Sequence, residues 1–62
     1  MTKQEAYTAM WNGHKVTHRY FGDTEYLYIK DGHMFTEDGY PFDSEFDNRL
    51  SPAWNTDWRI KE

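Results

Sequence analysis

The chain has 62 residues, no cysteine and a formal net charge of -4 at pH 7. A domain this short buries only about 60% of the surface its unfolded chain exposes, and without thiols neither a disulfide framework nor a thiolate zinc site can supplement the core. No apolar run is long enough to read as a signal peptide or a membrane span, so one domain over residues 1–62, with no membrane partner, is expected.

The first element is announced by Thr2-Lys3-Gln4-Glu5. In this capping-box pattern the Thr2 hydroxyl accepts from the Glu5 N–H while the Glu5 carboxylate accepts from the Thr2 N–H. Ala6 with Met10, and Tyr7 with Trp11, form i,i+4 pairs that make an apolar stripe on a short helix. Asn12-Gly13 then stops it, glycine being suited to the left-handed conformation past the last turn. A helix of about ten residues is not stable alone and must dock on something.

Beyond the helix the chain reads as a sheet. KVTHRYF (15–21) is β-branched and aromatic, and EYLYIK (25–30) alternates Leu27 and Ile29 with Tyr26 and Tyr28, with Gly22-Asp23 turning one into the other. Asp31-Gly32 between EYLYIK and HMFT is a strong hairpin signal, because a tight turn of this kind wants positive φ at both central residues. Asp38-Gly39 returns the chain into Tyr40-Pro41-Phe42, where Pro41 restricts the segment to an edge or a loop. From Asp43 to Asn55 the pattern dissolves into polar and turn-forming residues, with a bend at Ser51-Pro52. Trp58-Arg59-Ile60 suits a last strand, with Trp58 closing the core against the helix near Trp11. The fold class expected is α+β: one short N-terminal helix packed on a small antiparallel sheet of three to four strands.

Aromatic residues make up 19% of the chain, while large aliphatics are few. So small a core cannot hide every ring, so some belong at an interface with a partner or a second copy, and a homodimer stays open. Charge is uneven along the chain. Residues 1–22 carry Lys3, Lys15 and Arg19 against Glu5; residues 23–47 carry eight acids against Lys30 alone. Direct nucleic-acid binding needs a basic face, which no stretch of this sequence offers, so none is expected.

The stretch EDGYPFDSEFD places Glu37, Asp38, Asp43, Glu45 and Asp47 among Tyr40, Phe42 and Phe46. A calcium loop would need alternating oxygen ligands followed by glycine, and Asn48 stands where glycine is wanted. Acid–base catalysis by paired carboxylates needs burial and a cleft that a chain of this size hardly provides. Two readings remain, a solvating loop and a recognition surface, and the rings favour recognition because interfaces use aromatic anchors within a polar rim. Its expected contact residues are Glu37, Asp38, Tyr40, Asp43, Glu45, Phe46 and Asp47, with Trp54 from the turn-rich segment. One or two of these rings could instead fold back onto the core, which the four-residue spacing of Phe42 and Phe46 suits.

His14 and His18 have a spacing that serves metals on helices, but along a strand it separates the rings by roughly 13 Å, so no metal is expected. Arg19, beside His18 and Tyr20, could hold a phosphate or carboxylate, or pair with one of the chain's own acids. No nucleophile constellation and no glycine-rich phosphate loop is present, so neither an enzyme nor a cofactor is expected.

The opening "EA…M…G.KV" (Glu5, Ala6, Met10, Gly13, Lys15, Val16) and the ending "DW.I" (Asp57, Trp58, Ile60) resemble the phage Thoeris anti-defence family, whose members sequester a cyclic nucleotide immune signal. The resemblance implies phage origin and a helix-plus-sheet fold; where that family has a longer, proline-containing middle section, this chain has only the acidic stretch. Combined with the charge distribution, it points to a non-enzymatic inhibitor of a host defence system, of the anti-CRISPR kind. Such a protein would act in the cytoplasm of the infected bacterial host and occupy the basic groove of a defence protein or nucleoprotein complex. Two alternatives remain: an oligomeric sponge for a cyclic nucleotide-type signal, with His18, Arg19 and Tyr20 at a subunit interface, and a virion or packaging accessory protein.

Overall fold

The capping box forms as written. Thr2 Oγ1 accepts from the Glu5 N–H at 3.1 Å and Glu5 Oε1 accepts from the Thr2 N–H at 2.8 Å, starting helix α1 (Lys3–Trp11). Gly13, at φ 91°, takes the chain out of it, its N–H donating to the Met10 carbonyl at 3.1 Å. The computed structural model describes residues 1–61.

The sheet has four strands: β1 (Val16–His18), β2 (Leu27–Lys30), β3 (His33–Thr36) and β4 (Trp58–Ile60). They are antiparallel, in the order β3-β2-β1-β4. The fold is thus a small α+β domain. Asp31 and Gly32, at φ 54° and 81°, make the tight turn between β2 and β3. Pro41 forms only an isolated bridge, to Phe35 on the outer edge. β4 closes the other edge, with Val16 opposite Ile60 and His18 opposite Trp58.

Two expectations are corrected by this arrangement. The strand expected over 15–21 ends at His18, because the Tyr20 N–H turns back to His18 Nδ1 at 3.1 Å and the Phe21 N–H to the His18 carbonyl at 2.9 Å. The segment expected to be irregular from Asp43 to Asn55 holds a short helix, α2 (Asp43–Asp47), and a 3₁₀ turn at Pro52–Trp54. Phe46 supplies the only buried side chain of α2, so a periodic apolar pattern had no length in which to show itself.

One core joins these elements. Ala6 and Met10 come from α1; Val16, Leu27, Met34 and Trp58 come from the strands; Phe42 and Phe46 come from the segment after β3. The helix turn that buries Ala6 and Met10 leaves Tyr7 and Trp11 outside, edge-to-face at 6.2 Å. Trp58 therefore does not meet Trp11. Its ring packs instead against His18 at 4.8 Å and Phe46 at 5.4 Å. Strand alternation sends the neighbouring residues to the opposite face of the sheet: Thr17, Tyr28, Lys30, His33, Phe35 and Arg59. No helix among the described residues is long and apolar enough to cross a membrane.

Candidate functional site

The acidic stretch forms the β3 edge of the molecule and the outside of α2. At its start, the Gly39 N–H donates to the Thr36 carbonyl, the Tyr40 N–H donates to Thr36 Oγ1 at 3.2 Å, and the Thr36 N–H donates to the Tyr40 carbonyl. These bonds fix a turn from which Tyr40 projects, 68% exposed. Asp38, Glu45 and Asp47 are exposed and Glu37 half-buried. Among the described residues Arg19 pairs with Asp57, and His33 Nδ1 lies against the Asp43 carboxylate, each at 3.8 Å. Glu37, Asp38, Glu45 and Asp47 make no ion pair among the described residues, although Arg49 lines the same cleft as Glu37 and Asp38, and Lys3 the same cleft as Asp47.

Several expected contact residues have other roles. Phe46 is 4% exposed, because α2 turns it inward onto Tyr7 and Trp58, at 6.0 and 5.4 Å, so it is not a surface anchor. Phe42 is buried as well, so both rings of that pair fold back onto the core. Asp43 Oδ1 accepts from the Met34 N–H at 3.0 Å, tying α2 to β3. Trp54 is half-buried, with His18 at 4.4 Å and the Arg49 guanidinium 4.6 Å from its ring centroid. Of the expected contact residues, Tyr40, Asp38, Glu45 and Asp47 are exposed and make no side-chain bond within the described residues, Glu37 is half-buried, and Asp43 is exposed but engaged.

Sequence reasoning passed over Arg49. Its guanidinium stacks over Phe42 at 5.1 Å as well as Trp54, and its Nε is buried with no hydrogen-bond partner. It forms the inner wall of a cleft of ≈ 250 Å³ whose lining also includes Glu37, Asp38, Tyr40 and Tyr26. A lone arginine in a polar loop carries no local signal of this position; only the return of the chain past β3 creates it.

The alternative ligand set is also rearranged. His18 is 1% exposed and its nitrogens are occupied by backbone: Nδ1 accepts from Tyr20, and Nε2 donates toward the carbonyls of Ala53 and Thr56 at 3.1 and 2.8 Å. It cannot reach a ligand without losing these bonds. Arg19 pairs with Asp57, the intramolecular option raised by the sequence, and Tyr20 is 60% exposed. Among the described residues no three His, Asp or Glu side chains gather in a metal-binding group.

Comparisons of the chain with protein-family models, with curated proteins and with solved structures find no match.

Proposed function

We propose that this protein is a non-enzymatic, phage-type inhibitor of a host defence system, and that its β3–α2 edge binds a basic, nucleic-acid-binding surface of a host complex. The observation that supports this reading is the absence of close ion pairs around Glu37, Asp38, Glu45 and Asp47 among the described residues, with exposed Tyr40 in the same stretch. Unpaired carboxylates steer association with a cationic groove, and an aromatic ring among them supplies apolar area at the centre of the contact. Asp43 acts as a brace for the edge, since its carboxylate is engaged by the Met34 N–H.

The test is capture of partners from lysate of a bacterial host with the wild-type chain, a Glu45→Lys/Asp47→Lys variant and a Tyr40→Ala variant, washed at low and then high salt. A nucleic-acid-handling complex retained at low salt, shed at high salt and lost with either variant fits the proposal. Retention that ignores both the charge reversal and the salt overturns it.

A further inference from the structure

We infer that the helix-free face of the sheet is a second binding surface, and that it takes single-stranded nucleic acid. This goes beyond the acidic edge, which it meets only at the cleft that Tyr26 lines with Glu37 and Asp38. Tyr26, Tyr28 and Phe35 form a continuous row there, with ring centroids 6.1 and 5.8 Å apart, and all three are half-exposed. Lys15 extends its ammonium over Tyr26, 4.8 Å from the centroid. Lys30, two residues beyond Tyr28 on β2, and Arg59 on the edge strand β4 are exposed on the same face.

None of the six strand residues on this face is acidic; the acids closest to the row are at its Tyr26 end, where Glu25, Glu37 and Asp38 line a cleft with that ring. Asp43 lies beside His33 at the β3 edge, and Arg59 lines a cleft with Glu5 and Asp57 at the β4 edge. Charge counted along the sequence hides this face, because its cations lie at positions 15, 30 and 59 and meet only through strand pairing. A ladder of half-exposed rings flanked by cations suits a chain of flat bases joined by phosphates: the rings stack on bases and the cations meet the backbone. A second copy docking face to face would set Lys15, Lys30 and Arg59 against their own images, which like-charge repulsion opposes.

The experiment measures fluorescence anisotropy of a labelled oligothymidylate of about 15 nucleotides, at about 20 and about 200 mM salt. Binding is expected at low salt, weaker at high salt, and weaker for a duplex of the same length. Tyr28→Ala is expected to reduce affinity about five- to a hundredfold, the range for loss of one stacking platform. Lys30→Glu/Arg59→Glu changes two exposed side chains, so it keeps the fold by circular dichroism and is expected to lose at least about tenfold. No binding at low salt, a duplex bound as tightly as the single strand, or variants that bind like wild type each overturn the inference. So does a salt-sensitive oligomer, seen by light scattering, that Lys30→Glu/Arg59→Glu dissolves, since the face would then be occupied by another copy's acidic edge. Glu45→Lys/Asp47→Lys is expected not to weaken oligonucleotide binding, so failure of this inference and failure of the acidic-edge proposal are separable.

Discussion

The imidazole of His18 lies 4.4 Å, centroid to centroid, from the indole of Trp54, and the two are joined through backbone as well as by packing. His18 Nε2 donates toward the carbonyls of Ala53 and Thr56, the residues just before and two after that tryptophan, while Nδ1 accepts from the Tyr20 N–H. These partners select the neutral tautomer with the proton on Nε2. One buried side chain thus fastens the 3₁₀ turn to the sheet and bends the chain out of β1.

His18→Leu keeps the apolar bulk and removes both nitrogens, leaving the Tyr20 N–H and two carbonyls without their partner. The expected cost is about 2 kcal/mol, from part-buried backbone groups left without their partner. Urea unfolding followed by tryptophan fluorescence checks it, and an unchanged midpoint would mean the ring does not hold the 53–56 segment.

Phe46 and Tyr40 lie in the same acidic stretch but answer to different forces. Phe46→Ala empties a core position and is expected to cost about 3–5 kcal/mol, comparable to the whole stability of a domain this small. Tyr40→Ala, at an exposed site, is expected to stay within about 0.5 kcal/mol of wild type while weakening partner capture. Thermal melts of the two variants, side by side, separate core from contact residue.

The Glu5 carboxyl is held below its ordinary range, chiefly by the backbone hydrogen bond from Thr2 and then by the Thr2 hydroxyl. A group depressed in this way stabilises the folded state above its unfolded pKa, and the contribution disappears as pH falls through the folded value. Lowering the pH from neutral into the acid range should therefore cost wild type more than Glu5→Gln, whose side chain does not titrate. Urea midpoints of both chains at neutral and acid pH check this. Thr2→Ala, which deletes the other half of the box, is expected to cost about 1 kcal/mol at neutral pH.

Asp57 sits at φ 69°, the left-handed region, just before β4. Asp57→Gly is expected to be within about 1 kcal/mol of wild type, since glycine relieves the conformation while the exposed pair with Arg19 is worth little. Asp57→Val is expected to lose about 1–2 kcal/mol, the cost of a β-branched residue at positive φ. Equal melting temperatures for the two would show that the backbone there relaxes at no cost.

Features whose causes lie within a few residues were legible from the chain alone. Thr2 and Glu5 cap α1 through bonds three residues apart, Gly13 ends it, and Asp31-Gly32 turns β2 into β3, because each needs only local geometry and a backbone that the side chain permits. The alternation of Tyr26-Leu27-Tyr28-Ile29 likewise separated two faces, but not which face would be covered. Tertiary structure decided that when α1 docked through Ala6 and Met10 on the side of Val16, Leu27 and Trp58. The same docking buried Phe46 and left Trp11 outside, although both are aromatic residues in short helices. It enclosed His18, which as a strand histidine beside an arginine had read as a ligand residue. β4 reached β1 across some forty residues of chain, and in doing so brought Arg59 onto the face that carries Lys15 and Lys30, while Glu37, Asp38, Glu45 and Asp47 stayed along the β3–α2 segment. Local bonding cannot specify such groupings, because burial and surface charge depend on which distant residues come to lie side by side.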